Sequence, residues 1–212
     1  GEREVYETRT RLGRKIFTTG SHRLMTLNGF LPVNELSERR FVATRRSAGE
    51  FVGANELSEA QCKVLAYILG DGCVVRSDAD GKRFGFTAHT EKKLQVREDF
   101  LSALRAIDPA CVVKNYNHDM VINSEACAAI FKSQNVWGRR SAEKSIPQAV
   151  FGLDRRLTAI FLNALWATDG HCSHPGASRY ELSYCSISDL LAKQVCALLA
   201  KFGIPTSLRE FK

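Results

Sequence analysis

Two stretches of this sequence end alike, and together they constrain the fold more than any other feature. Val64-Leu65-Ala66-Tyr67-Ile68-Leu69-Gly70-Asp71-Gly72 and Leu162-Asn163-Ala164-Leu165-Trp166-Ala167-Thr168-Asp169-Gly170 align without a gap. Each reads as an apolar helix with a pair of small residues four apart, Ala66/Gly70 and Ala164/Thr168. Residues four apart share one helical face, and small side chains there let two backbones approach closely. The glycine after each aspartate suits a helix cap, because glycine tolerates the left-handed conformation. The aspartate is the costly choice: a carboxylate at the negative end of a helix is disfavoured by roughly 0.3–1 kcal/mol. Packed side by side, two such helices gather two carboxylates and two negative helix ends. A divalent cation resolves that repulsion. Hard cations held by carboxylates and phosphate oxygens are the arrangement for in-line phosphodiester hydrolysis.

The pattern around these helices repeats. Ser58 and Gln61 stand in capping-box spacing at the start of the first. After the helix at 58–70 comes a hairpin, Cys73 to Arg76 and Arg83 to His89, about an Asp80-Gly81 turn. A helix follows from Glu91 to Ile107, then a hairpin of Cys111 to Lys114 and Met120 to Asn123, and a helix from Ser124 to Gln134. A basic loop runs from Gly138 to Lys144. The second Asp-Gly helix starts near Arg156. Strands in 179–186, a helix from Leu190 to Phe202 and a strand from Thr206 to Phe211 follow it. The order α-ββ-α thus occurs twice, and the second copy stops early.

The first 46 residues read as short strands only: Val5 to Thr10, Lys15 to Thr19, Leu24 to Thr26, an Asn28-Gly29 turn, Phe30 to Leu36 and Phe41 to Thr44. Residues 45–57 read as a linker. The fold class expected is α+β, with an all-β segment over 1–50 and a two-repeat domain over 51–212. The repeats lie at about 58–135 and 155–212.

The 212 residues suffice for one large domain or two small ones, and 44% hydrophobic with 25% charged residues argues against a disordered chain. No apolar run approaches the roughly 18 residues of a membrane span, and the first residues carry no signal-peptide pattern. Thirty Lys and Arg against 23 acids give a net charge of +7, which favours polyanionic partners. Seven scattered cysteines without a CxxC pair suit the reduced thiols of a cytoplasmic compartment. Zinc at His171, Cys172 and His174 would need a fourth ligand such as Cys185, and this spacing differs from the usual zinc pairings.

The matched helices resemble those of the LAGLIDADG homing endonucleases in their single-chain, two-repeat form, over residues 58–212. The resemblance implies pseudo-symmetric αββαββα halves with the two helices at their interface. It also implies that the terminal acids, here Asp71 and Asp169, bind Mg²⁺ at the two scissile phosphates. Glu143-Lys144-Ser145-Ile146-Pro147 resembles a segment of intein-borne members, which implies a supporting role for Lys144 in stabilising phosphate charge or positioning water. The other reading of Lys144 is an exposed loop lysine. The implied DNA-facing saddle draws on Arg76, Lys82, Arg83, Thr87, His89 and Lys114, with Arg139 and Arg140 from the basic loop. The implied substrate is double-stranded DNA at a long, asymmetric site, cut by a monomer to leave short 3′ overhangs. Tyr67 and Trp166 depart from the family pattern, on faces suited to each half's core.

Gly13 to Phe30 resembles block B of inteins, whose Thr-x-x-His core is here Thr19 and His22. The resemblance implies that these two hold and polarise the peptide bond at the upstream splice junction of a Hint-fold splicing domain, an imidazole supplying the proton that the leaving amide needs. The combined order resembles inteins of bacterial replicative DNA helicases, whose exteins would be partners in the full precursor. Gly1 stands where a Cys or Ser nucleophile would, and no His-Asn pair ends the stretch, so an internal slice that does not splice alone is expected. Two alternatives stay open: a LAGLIDADG-fold nucleic-acid binder without nuclease activity, acting as RNA-splicing cofactor or regulator, and a free-standing homing endonuclease.

Overall fold

The computed structural model describes residues 2–38, 40–44, 49–74, 81–176 and 179–210. Arg76 and Asp80 lie outside these. The chain divides into two compact units, Gly1–Gly49 with Leu199–Lys212, and Glu50–Leu198.

In the first unit, β1 (Val5–Arg9) and β2 (Lys15–Thr19) form an antiparallel hairpin, as do β3 (Arg23–Thr26) and β4 (Gly29–Pro32). Thr26 pairs with Gly29, so the loop residues are Leu27 and Asn28, one position earlier than the expected Asn-Gly turn. The Thr26 hydroxyl locks that loop, donating to the Gly29 carbonyl at 2.8 Å. The strand expected to run on to Leu36 stops at Pro32, and Val33–Glu35 form a 3₁₀ turn. The Val33 and Asn34 N–H groups donate back to the carbonyls of His22 and Gly20, which pulls the chain out of the ladder. Of Phe41 to Thr44, only Val42 pairs, in a single bridge with Thr26. The strand expected from Thr206 is absent over 206–210, where one backbone hydrogen bond, Leu208 to Leu12, ties the segment down.

The second unit begins with α1 (Glu59–Asp71), opened by the reciprocal capping box of Ser58 and Gln61. Then come β5 (Gly72–Val74), β6 (Arg83–Thr87), α2 (Leu94–Ile107), β7 (Val112–Tyr116), β8 (Asp119–Asn123) and α3 (Glu125–Ser133). The short α4 (Gln148–Phe151) leads to α5 (Arg155–Asp169), β9 (Gly170–Gly176), β10 (Arg179–Tyr184) and α6 (Asp189–Lys201). The α-β-β-α order is present in both copies, and the first continues to a full αββαββα run.

Helix α2 starts at Leu94 rather than Glu91 because the His89 ring intervenes. Its Nδ1 accepts the N–H groups of Glu91 and Lys92, each at 3.2 Å, and holds residues 90–93 as a turn.

Strands β5-β6-β8-β7 form one antiparallel sheet. Alternation sends Phe84, Phe86, Met120 and Ile122 to the core, all fully buried. The opposite face carries cross-strand rows Arg83–Asn123–Val112, Gly85–Val121–Lys114 and Thr87–Asp119–Tyr116. The rings of Tyr67, Phe86 and Phe100 meet beneath the sheet at centroid distances of 4.2–5.8 Å. Tyr67, the bulky departure in the first helix, is therefore a core residue, and its hydroxyl donates to Asp99 at 2.7 Å. Among the described residues no helix is long and apolar enough to cross a membrane.

Candidate active site

Helices α1 and α5 pack on each other along their small residues. Ala66 and Ala164 are buried, and Gly70 faces Thr168 with no room for a Cβ between them. This seam carries Asp71 and Asp169, each the last residue of its helix.

The glycines that follow do not cap in the left-handed region, as the sequence suggested. Gly72 has φ −91° and Gly170 φ −81°, both extended, and each helix runs directly into a strand. Glycine is required for space instead. A Cβ on Gly72 would lie 2.6 Å from the Ile68 carbonyl oxygen, and one on Gly170 2.3 Å from that of Trp166.

Each carboxylate sits in a different setting. Asp71 is paired: Lys93 Nζ donates to its Oδ2 at 2.8 Å and to the Thr168 carbonyl at 2.9 Å. One ammonium thus ties the end of α1 to the end of α5. Burial raises the Asp169 carboxyl above the usual range, and the neighbouring Asp71 charge raises it further, against the pull of Lys144 and Lys93. The Tyr184 hydroxyl is buried on this side, and burial and the Asp169 charge push its ionisation upward. Trp166 packs against the Tyr184 ring at 5.4 Å, and its indole N–H is buried without a partner among the described residues.

Lys144 is not an exposed loop lysine. It is 8% exposed, and its Nζ donates to the carbonyls of Ile68, Gly70 and Gly72 at 3.1, 3.0 and 2.9 Å. Three acceptors match the three donors of an ammonium, and a cation at a helix C-terminus is favourable. Burial lowers the Lys144 pKa, while Asp169 and Asp71 work against that. Helix α6 sets the segment in place. The Ser188 hydroxyl donates to the Lys144 carbonyl at 2.6 Å, and the Gln194 side chain accepts the Ile146 N–H at 2.7 Å.

The donor set fits a hard divalent cation. The two helix ends offer carboxylate and carbonyl oxygens only, and a cation, the Lys93 ammonium, already stands on two of them. Among the described residues no cluster of three His, Cys, Asp or Glu side chains could hold a metal. Strand alternation separates His171 from Cys172, paired opposite Ser183 and Leu182 respectively.

The expected DNA-contacting residues divide. Arg83, Thr87 and Lys114 share the outer sheet face, where Arg83, Lys114, Tyr116 and Asn123 line a shallow depression. The Thr87 hydroxyl is engaged by Asp119 at 2.7 Å. Lys82 precedes the strand, and its carbonyl accepts the Ser124 N–H. The His89 ring stacks on His118 at 4.2 Å with its Nδ1 occupied. Arg139 and Arg140 lie in the loop after α3, where Arg139 donates to Asn135 at 2.8 Å. Arg76 is outside the described residues. In the first unit, Thr19 ends β2 and its carbonyl accepts the N–H of exposed His22 at 3.0 Å.

Sequence reasoning missed Lys93 and Tyr184. Lys93 sits in a charged run, Glu91-Lys92-Lys93, that reads as a solvated helix start. Tyr184 reads as an ordinary strand aromatic.

Residues 157–211 match the family model of the LAGLIDADG-like domain. Nearly the whole chain is also similar to parts of larger proteins. It is 30% identical to the replicative DNA helicase DnaB of Synechocystis sp. over 99% of this chain and 25% of that protein. It is 30% identical to that of Rhodothermus marinus over 99% and 23%. Against a DNA gyrase subunit from Mycobacterium kansasii it is 26% identical over 96% and 39%. The chain therefore spans about a quarter of the helicases it matches. That domain match includes the second helix of the α1–α5 seam, so residues 157–211 are similar to the LAGLIDADG-like domain.

Proposed function

We infer that this chain is the DNA-cleaving part of an intein, a homing endonuclease that hydrolyses both strands of duplex DNA with Mg²⁺. The observation that carries this is the seam: two helix ends held in contact, each presenting a carboxylate, with hard oxygen donors around a cation position. Asp71 and Asp169 would hold the divalent cation, which when bound activates water and offsets charge developing on the phosphoryl group. Lys144 supports the site from beneath by neutralising the end of α1. Arg83 and Lys114, with Tyr116 and Asn123 beside them, put basic and polar groups on a sheet face suited to a long, asymmetric stretch of duplex.

The similarity pattern supports an inserted element. The same segment matches a helicase and a gyrase chain, proteins with different names, over a minority of each. A mobile insert shared by different hosts gives that pattern, and the stronger likeness to helicases favours a replicative helicase as host. Thr19 and His22 then belong to the splicing part of a Hint domain, with exteins as partners in the precursor. A cytoplasmic monomer suits this role.

The test is a plasmid carrying the host coding sequences on either side of the whole intein, joined without it. The expected result is linearisation with Mg²⁺ and none with chelator. Tight binding without cleavage in Mg²⁺ or Mn²⁺ would favour a silent DNA-binding relative instead.

A further inference from the structure

The two copies of the repeat differ at one place beside the paired helix ends. Aligned on the aspartates, Ile68 of α1 corresponds to Trp166 of α5. In the strands that follow, Gly72 pairs with Phe86 and Gly170 with Tyr184, so Phe86 and Tyr184 correspond as well. The first copy thus has two buried apolar side chains, Ile68 and Phe86, at these positions. The second has an indole and a phenol, with ring centroids 5.4 Å apart. Trp166 Nε1 and the Tyr184 hydroxyl are both buried, and neither has a hydrogen-bond partner among the described residues. Burying an unpaired polar group is costly, so two of them on packed rings call for an acceptor. Asp169 is placed to be that acceptor. Tyr184 stands opposite the residue that follows Asp169, the next N–H, that of Cys185, donates to the Asp169 carbonyl at 3.5 Å, and the hydroxyl lies within electrostatic reach of the carboxylate. Chemistry fixes the direction of a hydrogen-bond chain here. An indole N–H only donates, an ionised carboxylate only accepts, and a phenol does both. The order is therefore Trp166 to Tyr184 to Asp169.

We propose that Tyr184 is a positioning residue for the second half of the site: its hydroxyl, backed by the Trp166 N–H, donates to one carboxylate oxygen of Asp169 and so presents the other oxygen to the divalent cation. This rests on the nuclease reading above. Neither aromatic residue touches the reacting atoms. Hydrogen bonds to a metal-binding carboxylate from outside orient it and fix which lone pairs face the ion. In the first copy the Phe86 ring offers no donor, and Lys93 holds Asp71 instead. The two strand cuts are therefore expected to depend on Tyr184 unequally.

The experiment uses the full protein that carries this chain and the plasmid site described above, in single-turnover cleavage with Mg²⁺ and with each strand followed by its own end label. Tyr184→Phe keeps the ring against Trp166 and removes only the hydroxyl. It is expected to slow one strand about 10- to 100-fold and the other less than about threefold, so that nicked circles accumulate. Trp166→Phe is expected to act in the same direction more weakly, and the double variant to be no slower than Tyr184→Phe, because both act through one hydroxyl. A readout apart from cleavage is the Ca²⁺ affinity of the protein–DNA complex by calorimetry, expected to weaken about tenfold in Tyr184→Phe. Equal slowing of both strands, strict additivity of the two substitutions, or strand rates and Ca²⁺ affinity all within threefold of the unmodified protein would each overturn the proposal while leaving the nuclease reading intact. An unmodified protein that binds this site but cuts neither strand would overturn both. Melting temperature measured on each variant separates a folding defect from lost positioning.

Discussion

Thr168 fills the space in which a side chain on Gly70 would begin: a Cβ built there would lie 1.9 Å from Thr168 Oγ1 and 2.5 Å from its Cβ. The Thr168 hydroxyl is held in turn by the Leu165 carbonyl at 2.6 Å, so it does not simply swing aside. This contact sets how closely the two carboxylate-bearing helix ends approach.

Gly70→Ala should therefore push α1 and α5 apart. Overpacking of this kind costs about 1–3 kcal/mol. The urea midpoint is expected to fall with little change in slope, and cleavage to fall further than stability. Adding Thr168→Gly should recover part of both, and a Gly70→Ala protein as stable as the parent would contradict the packing account.

Asp71→Asn and Asp169→Asn should each abolish double-strand cleavage, by at least about 1,000-fold, with DNA affinity kept. Gel-resolved plasmid cleavage and fluorescence anisotropy on the same preparations measure the two effects separately.

Stability should move the other way for one of them. The folded-state pKa of Asp169 is raised, chiefly by burial. At neutral pH the charged carboxylate is thus disfavoured in the fold relative to the unfolded chain, and that penalty disappears as pH falls through the folded pKa toward 3.8. In chelator, Asp169→Asn is expected to raise the melting temperature at pH 7 and to lose that gain near pH 4.

Lys144→Met leaves the Ile68, Gly70 and Gly72 carbonyls without their donor. The expected loss is about 2–4 kcal/mol. Hydrogen exchange should quicken most at the last turn of α1, and wild-type exchange there would count against the capping role.

Arg83→Ala and Lys114→Ala should weaken DNA binding and lower the slope of log affinity against log salt by about one each. An unchanged slope would place the DNA elsewhere than on this sheet face.

Local physics made much of this protein legible from its sequence. Helical spacing showed that Ala66/Gly70 and Ala164/Thr168 share faces, and the Ser58–Gln61 pair marked where α1 begins. These signals act within a few residues, so they survive in a linear reading. What the site contains was decided by the fold. Lys93 meets Asp71 across 22 residues and Thr168 across 75, and Lys144 meets Ile68 across 76. No periodicity encodes such meetings, because they depend on where the turn held by His89 and the segment clamped by Ser188 and Gln194 come to rest. The same reason explains Gly72 and Gly170. Their sequence position suggested a conformational need, whereas the packed structure shows a need for space against the carbonyls of Ile68 and Trp166.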